Sequence, residues 1–224
     1  MAVTICPTVT TDDIDVYRQQ IEESATYATR VHIDLADGIF TRKLTAIEDV
    51  WWPAGMRADL HIMFQEPFQH IPAILALGPQ LVIVHAEADG DFIAFAREMH
   101  RHGIEAGVSI LQKTPVEAIV PALEYVDHVL IFSGDLGHFG GKADLSLLDK
   151  VKQLKQIKPQ LEIGWDGGAN DENALAMAEG GVDVINCGGY LHGDNPTEAY
   201  QKIVAIVSQA SPSSTQLPRT FHLN

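Results

Sequence analysis

The sequence predicts an α/β fold closed into a (β/α)8, or TIM, barrel. Short β-branched apolar runs alternate with longer stretches of helical period, which is the pattern of a parallel α/β fold. About eight such units fit into the 224 residues of the chain, a length that α/β barrels reach in one piece. The first strand-to-helix turn, Cys6–Asp13 (CPTVTTDD), lacks the glycine-rich dinucleotide fingerprint, which places a doubly wound open sheet second.

Val3–Cys6 is the first expected strand, followed by a helix over Asp12–Ala28. Arg30–Leu35 (RVHIDL) supplies the second strand, Ala58–Met63 (ADLHIM) the third and Leu81–His85 (LVIVH) the fourth, with a helix over Phe92–His102 behind it. Ile104–Ile110 and His128–Phe132 follow as the fifth and sixth. Leu161–Trp165 and Val182–Cys187 supply the last two, each followed by a helical stretch. Gly103 and the pair Gly180–Gly181 are helix stop signals. Trp51 and Trp52, before Pro53, sit in the long connection after strand two. Packing against the barrel underside is the expected role, ahead of a surface patch or interface. From Ser208 onward the chain is rich in Ser and Pro and breaks the pattern. A catalytic barrel is therefore expected over residues 1–207. An extended or flexible C-terminal extension, able to dock on a partner subunit, is expected over 208–224.

Composition excludes several classes of function. With 46% hydrophobic and 20% charged residues, the chain is expected to form one globular domain rather than a disordered one. No run of about 18 apolar residues is present to span a membrane, and the N-terminus has neither the basic nor the apolar region of a secretory signal. A formal net charge of −15 argues against a nucleic-acid surface, which needs clustered Lys and Arg. It leaves room for a small phosphorylated substrate, because backbone N–H groups hold a phosphate without a basic surface. Two cysteines, Cys6 and Cys187, are too few for a disulfide framework and read as reduced core thiols of a cytoplasmic protein.

Barrel active sites lie at the C-terminal ends of the strands. In strand two the period of two puts His32 and Asp34 on one face and Val31, Ile33 and Leu35 on the other. The apolar set packs on helices, so His32 and Asp34 point into the mouth. Strand three repeats the device with Asp59, His61 and Met63, and strand seven ends in Asp166 followed by Gly167 and Gly168. A lone strand histidine is more often a satisfied core residue than a ligand. Two imidazoles and two carboxylates converging from three strand ends instead make a four-ligand site for a metal of borderline hardness. Glycine pairs form a second constellation. Gly167–Gly168 follow strand seven and Gly188–Gly189 follow strand eight, the loops in which barrels commonly bind phosphate. Gly140–Gly141 follow strand six, with Lys142 adjacent. Any one pair is an ordinary tight turn; three pairs on neighbouring loops point to a phosphate.

The motifs HIDLADGIF (32–40), DLHIMFQEP (59–67), VHAEA (84–88), FGGK (139–142), WDGGANDENA (165–174) and the glycine, His and Asn-Pro positions over 188–196 together resemble the ribulose-phosphate 3-epimerase family, from strand one to the last helix. The resemblance implies a barrel of the ribulose-phosphate-binding type. It implies a divalent metal (Zn, Fe, Mn or Co) held by His32, Asp34, His61 and Asp166, with Asp34 and Asp166 as the catalytic acid/base pair. Thr8, Met63 and the glycines at 140, 141, 167, 168, 188 and 189 would contact the phosphorylated ketose, and the protein would be a homo-oligomer. Departures fall on the substrate side. Thr8 stands where the family has Ser, Ala36 and Phe132 stand where it has Met, Lys43 replaces Asn, and Gly189 replaces Ser. The loop after strand five reads Leu111–Pro115 (LQKTP), and the strand-six loop, Gly134–Phe139, lacks the family's Pro. Intact catalytic positions beside altered contact positions point to a changed sugar rather than a lost enzyme.

The reaction this implies is proton abstraction next to a carbonyl, through a cis-enediolate stabilised by the metal, inverting C3 of a ketose phosphate. An aldolase or decarboxylase of the hexulose-phosphate-synthase type is the competing class, but it calls for Asp-x-Lys-x-x-Asp, where this chain has His32-Ile33-Asp34-Leu35-Ala36-Asp37 without lysine. A non-catalytic sugar-phosphate binder is the third, and it has no need of two opposed carboxylates. Lys43, Lys113 and Lys142 lie on expected mouth-side loops, within possible reach of a phosphate.

Overall fold

Eight parallel strands pair in sequence order and close on themselves: β1 (Thr4–Val9), β2 (Arg30–Ala36), β3 (Arg57–Met63), β4 (Leu81–His85), β5 (Glu105–Ile110), β6 (His128–Phe132), β7 (Glu162–Asp166) and β8 (Val184–Cys187). The computed structural model describes residues 2–138 and 141–210. Among the described residues six α-helices lie between or after the strands: α1 (Ile14–Ser24), α2 (Ile71–Leu77), α3 (Phe92–Arg101), α4 (Leu148–Ile157), α5 (Ala174–Glu179) and α6 (Pro196–Val207). Among the described residues no helix is long and apolar enough to cross a membrane.

Two connections carry only 3-10 turns. Ile47–Asp49 lies between β2 and β3, and Val116–Ala118 and Val120–Tyr125 lie between β5 and β6. In the second, Pro121 follows Pro115 by six residues; it has no N–H to give a helix begun there, and its ring clashes with the preceding turn. Helix α1 starts two residues later than the expected 12–28 because Asp13 caps it, accepting from Asp15 N at 2.8 Å and Val16 N at 3.2 Å, and it ends four residues early, at Ser24. Strand β1 runs three residues further than its apolar pattern suggests. Pro7 pairs with Cys187, and Thr8 with His32, so neighbours on both sides hold extended a segment that reads locally as a turn.

Side-chain parity divides the barrel as the sequence implies. Val31, Ile33 and Leu35 of β2, with Leu60 and Ile62 of β3, are wholly buried in the outer layer under the helices. Trp52 packs against that layer, while Trp51 is 36% exposed and its carbonyl accepts from Tyr17 Oη at 2.6 Å. Both cysteines are buried free thiols, and burial pushes Cys187 up to about 12, as core thiols require. Helix α6 ends at Val207, and residues 208–210 continue as a turn. The expected extension from 211 to 224 lies outside the described residues.

The floor of the barrel is ionic. Arg30 Nε lies 2.6 Å from Asp59 Oδ2, and its guanidinium grips Glu162 through two bonds of 2.8 and 3.2 Å. His128 Nδ1 is 2.9 Å from the same Glu162. Glycine is required at position 164, since a Cβ there would stand 2.4 Å from His128 Nε2. Burial alone would raise the Glu162 carboxyl, but His128 and Arg30 more than reverse it and hold Glu162 well below its ordinary 4.5. A depressed carboxylate stabilises the fold above its unfolded value and loses that contribution as pH falls towards the folded one. Glu162→Gln is therefore expected to cost about 2–4 kcal/mol near pH 7, by leaving the buried Arg30 with half its counter-charge. The gap from wild type should narrow as pH falls below about 4.5. Urea unfolding at pH 7 and pH 3 measures both, and an equal gap at the two pH values contradicts the assignment.

Candidate active site

Strand register assembles the site. Asp34 lies beside His61 in the β2–β3 pairing, Thr8 beside His32 in β1–β2, and Asp166, the last residue of β7, lies between Phe132 and Asn186. One donor atom from each of His32, Asp34, His61 and Asp166 falls within 4.8 Å of the others, and all four residues are buried. His61 Nδ1 is 2.8 Å from Asp34 Oδ1 and 3.8 Å from Asp166 Oδ2; His32 Nε2 is 3.3 Å from Asp34 Oδ1 and 3.7 Å from Asp166 Oδ2. Thr10 donates its hydroxyl to the other Asp34 oxygen at 2.5 Å. Asp59, which shares the parity of His61, sits a layer lower with Arg30 and Arg57, so of these three carboxylates Asp34 and Asp166 face the mouth.

This donor set fits a divalent cation. His32 is wholly buried, yet neither ring nitrogen has a hydrogen-bond partner, a costly state for an imidazole unless something else meets its lone pair. Metal–ligand bonds of about 2.1 Å in tetrahedral array space neighbouring donors about 3.4 Å apart, close to most of the separations here. Burial works against a charged His32, but the carboxylates of Asp34, Asp166 and Asp59 outweigh it and raise its pKa. The two aspartates are driven apart. Burial opposes ionisation of Asp34, yet His32 and His61 hold it well below the usual carboxylate range. Burial, reinforced by the charge of Asp34, pushes Asp166 up to about 6. Unequal environments for paired carboxyls are the arrangement from which acid and base roles are built.

Above the donors opens a cleft of about 280 Å³. Thr8, Met63, Gly141, Gly167, Gly168, Gly188 and Gly189 all line it; Gly140 lies outside the described residues. Gly167, at φ +107°, has a further reason to be glycine: a Cβ there would stand 2.3 Å from the backbone nitrogen of Gly134. Thr8 Oγ1 and Asn186 Oδ1 are buried on the cleft wall without partners, a pair of groups suited to a hydroxylated ligand. Lys43, Lys113 and Lys142 are exposed and are not among the described residues lining the cleft.

Sequence reasoning from spacing missed His85 and Glu87. His85, at the end of β4, is 2% exposed and its Nε2 lies 2.8 Å from His61 Nε2. Burial, the largest influence, lowers His85 to about 4. Glu87 is drawn down to about 2, its burial overcome by hydrogen bonds from His85, Thr114 and the Leu111 backbone. The signal was available: His85 and Glu87 stand two apart, as His32 and Asp34 do.

A closed parallel barrel with a buried two-histidine, two-aspartate cluster at its strand ends, roofed by glycine loops, has the architecture of a barrel enzyme acting at the C-terminal mouth. The chain belongs to the ribulose-phosphate 3-epimerase family, whose model matches residues 4–192, and it is accordingly an isomerase of the carbohydrate epimerase type. It is 29% identical over 203 residues to the ribulose-phosphate 3-epimerase of Bacillus subtilis, covering 86% of this chain and 94% of that one. Identity to the enzyme of the same name from Mycobacterium bovis is 30% over 196 residues, or 84% of each chain. Among solved structures, 3-keto-L-gulonate-6-phosphate decarboxylase from Vibrio cholerae superposes with a TM-score of 0.74 at 12% identity, covering 95% of this chain and all of that one. For 3-hexulose-6-phosphate synthase from Salmonella typhimurium the TM-score is 0.69 at 15% identity, covering 93% of this chain and all of that one. Identities this low speak to the fold alone.

Proposed function

We propose that the protein is a divalent-metal-dependent epimerase that inverts C3 of a ketose phosphate, ribulose 5-phosphate/xylulose 5-phosphate or a related pentulose or hexulose phosphate. The observation that carries the reading is the pair of buried carboxylates, Asp34 and Asp166, on one cleft and in opposite electrostatic circumstances. His32, Asp34, His61 and Asp166 would hold the cation. When bound there, it would supply Lewis acidity to the carbonyl and adjacent hydroxyl oxygens of the sugar (Zn, Fe, Mn and Co all suit such ligands). Asp34, kept ionised by its two histidines, is placed to take a proton, and Asp166, which burial makes the better proton holder, to give one. Removal from one face of C3 and return to the other inverts the centre through an enediolate. Thr8 and Asn186 meet sugar hydroxyls, and the backbone N–H groups of Gly141, Gly167, Gly168, Gly188 and Gly189 face the phosphate.

The aldolase or decarboxylase reading shares the barrel, but residues 32–37 (HIDLAD) carry no lysine. Two carboxylates on a single cleft also exceed what a mere binder needs. The barrel over 1–207 would be the catalytic domain and 208–224 an appendage, in a cytoplasmic homo-oligomer of carbohydrate metabolism without nucleic-acid or membrane partners, consistent with the net charge of −15. The test is metal analysis of the purified protein coupled to uptake of solvent deuterium at C3 across a panel of ketose phosphates. At least one ketose phosphate should exchange at C3 and yield its epimer, in proportion to bound metal. Metal-free protein with full activity, or C–C bond cleavage in place of exchange, would overturn the reading.

A further inference from the structure

A chain of polar groups, buried at His61 and His85 and half-buried beyond, runs away from the cleft and is not used by the reaction described above. His61 Nε2 lies 2.8 Å from His85 Nε2, and His85 Nδ1 lies 3.3 Å from Glu87 Oε2. The other Glu87 oxygen accepts from the Leu111 backbone N–H at 3.1 Å and from the Thr114 hydroxyl. The loop that bears those donors is fixed in turn, since Lys150 Nζ donates to the carbonyls of Leu111, Gln112 and Thr114 at 2.8, 2.8 and 2.6 Å. Phe40 and Phe132 close over His85 with ring centroids 5.1 and 6.0 Å away, and Phe132 stands 5.9 Å from His61, which shields the two imidazoles.

Hydrogen-bond chemistry gives this chain one direction. A carboxylate only accepts, and Glu87 already accepts from two donors, so the proton between it and His85 belongs to His85 Nδ1. A neutral His85 then presents a lone pair at Nε2. Two ring nitrogens 2.8 Å apart need one proton between them, and it must sit on His61 Nε2. The Nδ1 of a neutral His61 is thereby left as a lone pair, aimed at Asp34 and Asp166 from 2.8 and 3.8 Å. A lone pair facing carboxylates is repulsive until a cation comes between them.

We propose that Glu87 and His85 are positioning residues that lock His61 in its Nε2–H tautomer, so that Nδ1 is delivered ready-made as a ligand to a divalent cation. The inference rests on the reading of His32, Asp34, His61 and Asp166 as a cation site, and it extends the machinery of that site to a fourth strand, β4. Outer partners of this kind raise ligand basicity and fix ring orientation, and their loss typically lowers metal affinity by about 10- to 100-fold.

The test uses the full chain with ¹⁵N-labelled histidine, with and without Zn²⁺, and needs no activity measurement. Long-range ¹H–¹⁵N correlations should show His61 as the Nε2–H tautomer and His85 as the Nδ1–H tautomer in both states, with the His61 Nδ1 resonance moving on addition of zinc. By chelator competition, His85→Phe, which keeps a ring but offers no acceptor, should bind Zn²⁺ about 10- to 100-fold more weakly. His85→Gln, whose side-chain oxygen can accept from His61 Nε2–H, should recover much of the loss. An Nε2–H or doubly protonated His85 in the wild type would overturn the relay without recourse to any variant. So would a His85→Phe protein that binds zinc within twofold of wild type. Wild-type protein that takes up no zinc would instead defeat the cation-site reading, while the tautomers still decide the direction of the chain.

Discussion

Asp34→Asn and Asp166→Asn should each lower epimerisation by about 10²- to 10⁴-fold, the range that a positioned acid or base contributes. The amide keeps the size of the carboxylate and one oxygen able to reach a cation, but it can neither take nor store the proton. The two variants should also differ in a way that a structural lesion would not produce. If Asp34 serves one face of C3 and Asp166 the other, each variant should retain deuterium exchange from one epimer only, and from opposite epimers. Because the residues act as a unit, the double variant should be little worse than the poorer single one. Steady-state turnover of both epimers, with exchange followed by NMR, reads all three outcomes. Near-wild-type epimerisation by either single variant would falsify the two-aspartate scheme. The flanking groups set the state in which the pair rests: Thr10 donates to Asp34 and His61 Nδ1 lies 2.8 Å from it, whereas Asp166 is pushed upward by burial and by the charge of its neighbour.

Those two aspartates were legible because strands expose their chemistry by alternation. Val31, Ile33 and Leu35 had to face the helices, so His32 and Asp34 had to face the mouth, and the β2–β3 register sets Asp34 beside His61. The same alternation left Asp59 and Asp166 equivalent, because parity gives the face and not the height along the barrel. Height is fixed by Arg30, which enters the floor from β2 and takes Asp59 as its partner. The strand limits of β4 and β6 agree with the apolar runs, while β1 extends through Pro7 because of pairing on both sides, a non-local cause that a local pattern does not carry. His85 and Glu87 carried the right spacing, but Thr114 and Leu111, whose hydrogen bonds hold Glu87, come from the next loop, 24 or more residues on. A role that depends on such a partner emerges only when the loops are placed.

The proposed phosphate end of the cleft yields the second large expected effect. Gly188 and Gly189 follow β8 on the wall of the cleft, close in sequence to helix α6, whose N-terminus carries Asn195 as its cap. None of Lys43, Lys113 and Lys142 is among the described lining residues, so on the proposed reading the backbone N–H groups of the glycine loops would do most of the holding. An anion held this way is vulnerable to a single misplaced charge. Gly189→Asp should therefore weaken a phosphorylated ketose on the order of tenfold to a hundredfold, as expected for a carboxylate a few ångströms from a dianion in a partly solvated site. It should leave the much weaker binding of the free sugar nearly unchanged. Gly189→Ser adds a hydroxyl donor without charge and should match or exceed wild type, which separates electrostatics from crowding at the turn. The effect of the Asp variant should shrink as salt rises, since an exposed pair is screened. Calorimetric titration of paired free and phosphorylated ketoses into the three proteins measures each of these. If wild type bound the two forms equally, the glycine loops would not be a phosphate site, and the ketose phosphate would lose its place as the substrate class.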